Sequence, residues 1–98
     1  MWIGWLEFDI LLGDVHSLKQ KRSVTRPLVA ELARRFAVSA AETGHQDLHR
    51  RAQIGVAVVA ADRAQVDSVL DAAERLVAAR PEIELLSAHR GLRRSTDD

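Results

Sequence analysis

The chain has 98 residues, 47% of them hydrophobic and 29% charged, with 14 basic and 14 acidic side chains and no cysteine. That length is one domain, enough for a single core between two packed layers and too little for a separate catalytic domain beside it. Balanced charge argues against a generally polybasic nucleic-acid binder, and a chain without cysteine has no disulfide, thiolate zinc site or cysteine nucleophile.

Residues 2–12 alternate. Trp2, Gly4, Leu6, Phe8, Ile10 and Leu12 fall on one face, and Ile3, Trp5, Glu7, Asp9 and Leu11 on the other. A period of two with aromatic and β-branched content predicts a strand. The continuously apolar face belongs against the core, and the mixed face on an open side of a sheet. No basic stretch precedes this run, and Glu7 and Asp9 interrupt it, so it does not read as a targeting signal. No stretch reaches 18 apolar residues, so a transmembrane helix is not expected. The expectation is a soluble, cytoplasmic protein.

Gly13-Asp14 signals a turn. Ser17 is a candidate N-cap, and Val24, Leu28, Leu32 and Phe36 recur every four residues as one stripe of a helix. Pro27 lies inside this pattern. It either kinks a helix over 18–36 or marks the first turn of a shorter one from about residue 26. The stripe continues across Pro27, which favours the longer helix. Residues 36–42 are then expected as a second strand, 43–47 as a loop and 50–60 as a third, largely apolar strand.

Asp62 opens a second helix, with Gln65 at the position of a capping-box partner. Val66, Val69, Leu70, Ala73, Leu76 and Val77 give its buried stripe, and Asp71 with Arg75 an expected exposed i, i+4 pair. Pro81 ends it. Residues 82–90 read as a fourth strand, and 91–98 as a flexible tail with no apolar anchor beyond Leu92. The domain therefore spans 1–90. The order β-α-β-β-α-β with right-handed crossovers specifies a ferredoxin-like α+β sandwich: a four-stranded antiparallel sheet, its first and third strands central, with two helices on one face.

Several stretches carry a family resemblance: His16-Ser17-Leu18-Lys19, Lys21-Arg22, Phe36 through Glu42, Asp47-Leu48, Arg51-Ala52, Gly55-Val56-Ala57-Val58 and Glu84-Leu85-Leu86. In order and spacing the chain resembles the YlxP-like family of small bacterial proteins, a domain of unknown function, from Trp2 to about Arg90. The resemblance implies a ferredoxin-like fold. It also implies a gene neighbourhood of transcription antitermination, translation initiation and ribosome maturation. Pro27, His45 and His49 depart from the family's pattern.

The sharpest local feature is charge. Residues 15–35 hold six basic side chains against Glu31 alone, and residues 62–84 hold three basic against six acidic. His16, Ser17, Lys19, Lys21, Arg22 and Arg26 gather at the start of the first helix, where free N–H groups and the macrodipole attract anions. One reading is a site for RNA phosphate, with ribosomal RNA or a ribosomal particle as partner. The other is a solvated helix face with a serine cap. A base-stacking platform is not expected, because the open face offers Trp5 but no aromatic on the third strand. Trp5 with Ile3 instead suggests an apolar interface for a second copy of the chain. That gives an alternative function, a self-associating regulatory domain that binds a small anion.

His45, Asp47 and His49 have an H-x-D-x-H spacing, but solvated loop histidines beside acids are commoner than zinc sites, and no metal or other cofactor is expected. Glu7 and Asp9 share a strand face without an evident pocket. The chain has no G-x-S-x-G, H-E-x-x-H or phosphate-binding glycine loop, and no enzymatic activity is expected.

Overall fold

In a computed structural model, residues 1–96 are described. The elements are β1 (Trp2–Leu12), α1 (Leu18–Phe36), β2 (Ser39–Gly44), β3 (Arg51–Ala60), α2 (Arg63–Ala78) and β4 (Ile83–Arg94). The strands form one antiparallel sheet in the order β2-β3-β1-β4, so β1 and β3 are central. This is the ferredoxin-like sandwich expected from the order of elements.

The alternation in β1 decides which face is covered. Leu6, Phe8, Ile10 and Leu12 are fully buried, as are Ala52 and Ile54 of β3 beside them. Leu28 and Leu32 of α1 and Val66, Leu70, Ala73 and Val77 of α2 close the core from the other side. α1 packs over β2 and β3, and α2 over β1, β3 and β4. The β1 backbone comes close to α2 at Gly4: a Cβ there would lie 2.2 Å from Val66 Cγ1. Small size is what that position requires.

α1 runs unbroken through Pro27 from its N-cap Ser17, as the longer of the two sequence readings has it. It ends at Phe36 because Ala37 turns into the left-handed region, at φ 53° and ψ 41°. β2 consequently begins at Ser39 and takes in Thr43 and Gly44, three residues later than residues 36–42 suggested. Phe36 extends the helical stripe and is partly buried against the core, which outweighs its strand propensity. A Cβ in the left-handed region is strained, and glycine relieves that strain. Ala37→Gly is therefore expected to raise stability by about 0.5–1 kcal/mol in urea denaturation.

Two further expectations are corrected at β4. The strand continues to Arg94, paired Trp2↔Arg94 and Gly4↔Leu92, and Ser95 N–H donates to Met1 O at 2.8 Å. Residues 91–94 are thus sheet and not tail, because the N-terminal half of β1 offers them a backbone partner; residues 97–98 of that expected tail lie outside the described residues. Asp71 does not pair with Arg75. Arg90 of β4 takes Asp71 at 2.9 Å and Glu74 at 3.5 Å, tying α2 to the sheet. A register shift between Asp9 and Ile10 leaves Leu86 as the extra residue of a bulge, 43% exposed.

Candidate functional site

The start of α1 is built by local capping. Ser17 Oγ accepts from Gln20 N–H at 3.1 Å, and Gln20 Oε1 accepts from His16 N–H at 2.6 Å. This is a capping box reaching one residue further than usual. The S-x-x-Q spacing of Ser17 and Gln20 announces it in the sequence. Ser17 therefore serves the helix itself. His16 Nε2 lies 2.6 Å from Asp14 Oδ1, both side chains exposed.

Lys21 departs from the expected anion site. It is 2% exposed, and its Nζ donates to His45 O at 2.7 Å and pairs with Glu42 Oε1 at 2.9 Å. It points from α1 into the sandwich and clamps the end of β2 and the following turn, where His45 has φ 59°. The reason is helical phase. Lys21, Thr25, Leu28 and Leu32 are the four buried residues of α1 and recur at i, i+4, i+7 and i+11. A lysine is normally assigned to solvent, which hid this extension of the stripe.

Lys19, Arg22 and Arg26 remain exposed, at i, i+3 and i+7 on the outward side of α1. Among the described residues no acidic group lies within 4 Å of any of them. Of the other cations of the basic segment, Arg35 lies 3.6 Å from Glu31, which also pairs with Arg80, and Arg34 is exposed with no acidic group within 4 Å among the described residues. Arg22 and Arg26 form the helix wall of a groove of about 350 Å³, opposite Gln46 and Asp47. Glu42 in that groove is already paired to Lys21. Lys19 sits in the first turn, where the macrodipole disfavours a cation, and Arg22 and Arg26 lie beyond its reach, so helix stability does not account for the stripe.

Among the described residues, no helix lies over the other side of the sheet. Trp5 is 38% exposed there and Val59 60%. The indole lies flat across the sheet on Gly91, its register partner on β4. A Cβ at Gly91 would come 2.0 Å from Trp5 Cε2 and Cζ2. On the opposite flank is an open depression of about 530 Å³ lined by Glu7, Ser39, Ala41, Thr43, Gln53, Gly55 and Ala57. Trp5 is the one aromatic residue of this face, as the sequence predicts, since Trp2 and Phe8 alternate to the other side and Phe36 belongs to α1.

The remaining candidate groups are separated. Arg51 binds Asp9 through two hydrogen bonds, Nη2 to Oδ2 at 2.5 Å and Nε to Oδ1 at 3.3 Å. His45 Nε2 stands 3.7 Å from the same carboxylate. Among the described residues no three His, Asp or Glu side chains are placed to hold a metal, so His45, Asp47 and His49 do not converge. Among the described residues no helix is long and apolar enough to cross a membrane.

Residues 3–90 match the family model described as "Protein of unknown function (DUF503)". The chain is 34% identical over 82 residues to the uncharacterized protein YlxP of Bacillus subtilis (strain 168), covering 84% of this chain and 89% of that one. Among solved structures, SnoaB, a cofactor-independent oxygenase from Streptomyces nogalater, aligns over 99% of this chain and 95% of its own at 12% identity. Its TM-score is 0.48, and no function follows from a likeness so distant. The matched family model and the bacterial relative span the same sandwich described above, and the chain belongs to this YlxP-like family.

Proposed function

We propose that this protein is a non-enzymatic binding module, soluble and cytoplasmic, that contacts the phosphate backbone of RNA through Lys19, Arg22 and Arg26. Its setting would be ribosomal RNA or a ribosomal particle. The observation that carries this is the outward stripe of three cations on the first half of α1 that, among the described residues, have no acidic group within 4 Å. The ribosomal setting rests on the gene neighbourhood that the family resemblance implies. One aromatic on the open face makes base readout by stacking a poor mechanism, so the contact is electrostatic and largely indifferent to sequence.

Such binding has a measurable signature. Each phosphate neutralised releases counterions, and three contacts give log affinity a slope of roughly −2 to −3 against log salt. Ribosomal RNA fragments titrated across salt should show that slope, and the protein should co-sediment with ribosomal particles at low salt. A salt-independent affinity overturns the reading.

A second reading is favoured by Trp5 and its neighbour Ile3 on the uncovered sheet face: a self-associating regulatory domain whose cations take a small anion. Inorganic phosphate discriminates between the two. For an RNA contact, millimolar phosphate should compete no better than its ionic strength accounts for; saturable displacement favours the small-anion reading.

A further inference from the structure

The uncovered face is stepped, and the step selects one way for two copies to meet. On the β1–β4 half the Trp5 indole forms a raised plate, held flat because Gly91 beneath it has no side chain. On the β2–β3 half the surface falls to Ser39, Ala41, Gly55 and Ala57, which floor the open depression. Plate and depression adjoin at one level of the sheet, since Trp5 pairs with both Gly91 and Ala57, and Ala57 pairs with Ser39.

We infer that two copies of the chain pair face to face about a two-fold axis parallel to the strands, each indole seated on Ala57 and Ser39 of the other copy. This deepens, and rests on, the self-association reading above. A two-fold along the strands keeps height along the sheet and exchanges its left and right halves, so each raised half meets a low half. An axis across the strands instead sets plate against plate and leaves both depressions empty. The contact is isologous and closes at two copies. Sheets stacked this way pack with their strands nearly aligned, offset by their twist.

Area and chemistry agree with this occupant. Six, ten, eleven and twelve residues in β2, β3, β1 and β4, at ~3.3 Å each in strands ~4.8 Å apart, give a face of roughly 600 Å² in projection. A stable dimer buries about 800 Å² of accessible surface per partner. Ile3, Trp5, Val59 and Ala57 supply an apolar patch toward the end of the face where β1 begins. The Asp9 charge within the face is already matched by Arg51. Glu7 sits at the rim of the depression with Thr43 and Gln53, which are hydrogen-bonding groups a copy can present to it.

Sedimentation equilibrium on the full chain tests this. The wild type should have twice the mass of the 10.9 kDa protomer. Ala57→Glu and Ser39→Arg each place a charge where the indole seats, on side chains already exposed. Both should be monomeric with unchanged circular dichroism. Gly91→Ala displaces the indole without adding charge and should raise the dissociation constant at least tenfold. A wild type of 10.9 kDa at every concentration overturns self-association altogether. A wild-type dimer that both charge variants leave intact overturns this geometry alone and moves the contact to a sheet edge or a helix.

Discussion

Lys21→Met should cost about 2–3 kcal/mol of folding stability while leaving the salt dependence of RNA binding where it was. Removing one member of a buried ion pair leaves the other uncompensated, which costs roughly 3–5 kcal/mol when both are fully buried. Here Glu42 keeps 21% of its side-chain surface in water and partly rehydrates, so the cost falls to the bottom of that range or just below it. The same change takes the Lys21 donor from His45 O, which keeps Leu48 N–H at 3.0 Å, in a turn already held at positive φ. For a domain of this size such a loss lowers Tm by roughly 10–20 °C. Urea denaturation of Lys21→Met and of the double variant with Glu42→Gln separates the causes. The double variant should recover at least ~1 kcal/mol, because the stranded charge is gone. A fully stable Lys21→Met that binds RNA more weakly would instead place Lys21 in the phosphate contact.

Gly4→Val should be comparably damaging, for a steric reason. The Cβ itself falls 2.2 Å from Val66 Cγ1 and 3.0 Å from Leu70 Cδ1. Val66 is fully buried and β-branched, so its rotamer has little freedom to yield. Overpacking of a dense core costs about 1–3 kcal/mol and occasionally more, and the two extra methyls of valine put this site at the upper end. Gly4→Ala with Val66→Ala makes the argument specific. The pair should be less destabilised than the sum of its singles by about 1 kcal/mol or more, since each substitution creates the space the other needs. Additive effects would mean that glycine is needed there for its backbone and not for its size.

The outline of the fold was legible because its signals are periodic. Alternation in β1 and the 3.6-residue stripe of α2 place Phe8, Ile10, Val66 and Leu70 in the core without reference to anything distant. Two misreadings lie where a distant partner overrides a local preference. Gly91 and the arginines after it look like a tail, yet β1 pairs with them through Arg94, and the indole of Trp5 fills the space above Gly91. Asp71 had a suitable neighbour in Arg75 and found a better one in Arg90, 19 residues on. Phe36 suited strand and helix equally, and its fit to the α1 stripe decided the matter.

The candidate site divides in the same way. Lys19, Arg22 and Arg26 stand where a helical phase anchored at Leu28 and Leu32 puts them, in solvent. The same phase puts Lys21 inside, and only the assumption that lysine is a surface residue concealed it. Ser17 and Gln20 were readable as a cap, which gives Ser17 Oγ a structural task as acceptor from Gln20 N–H.

The most direct test of the phosphate contact is the salt slope of RNA binding for the triple variant Lys19→Gln, Arg22→Gln, Arg26→Gln beside the wild type. All three side chains are exposed and without acidic partners within 4 Å among the described residues, so the variant should fold with wild-type stability. The slope of log affinity against log salt should flatten by roughly 2–3. An unchanged slope, with the variant folded and binding as before, would contradict the phosphate contact.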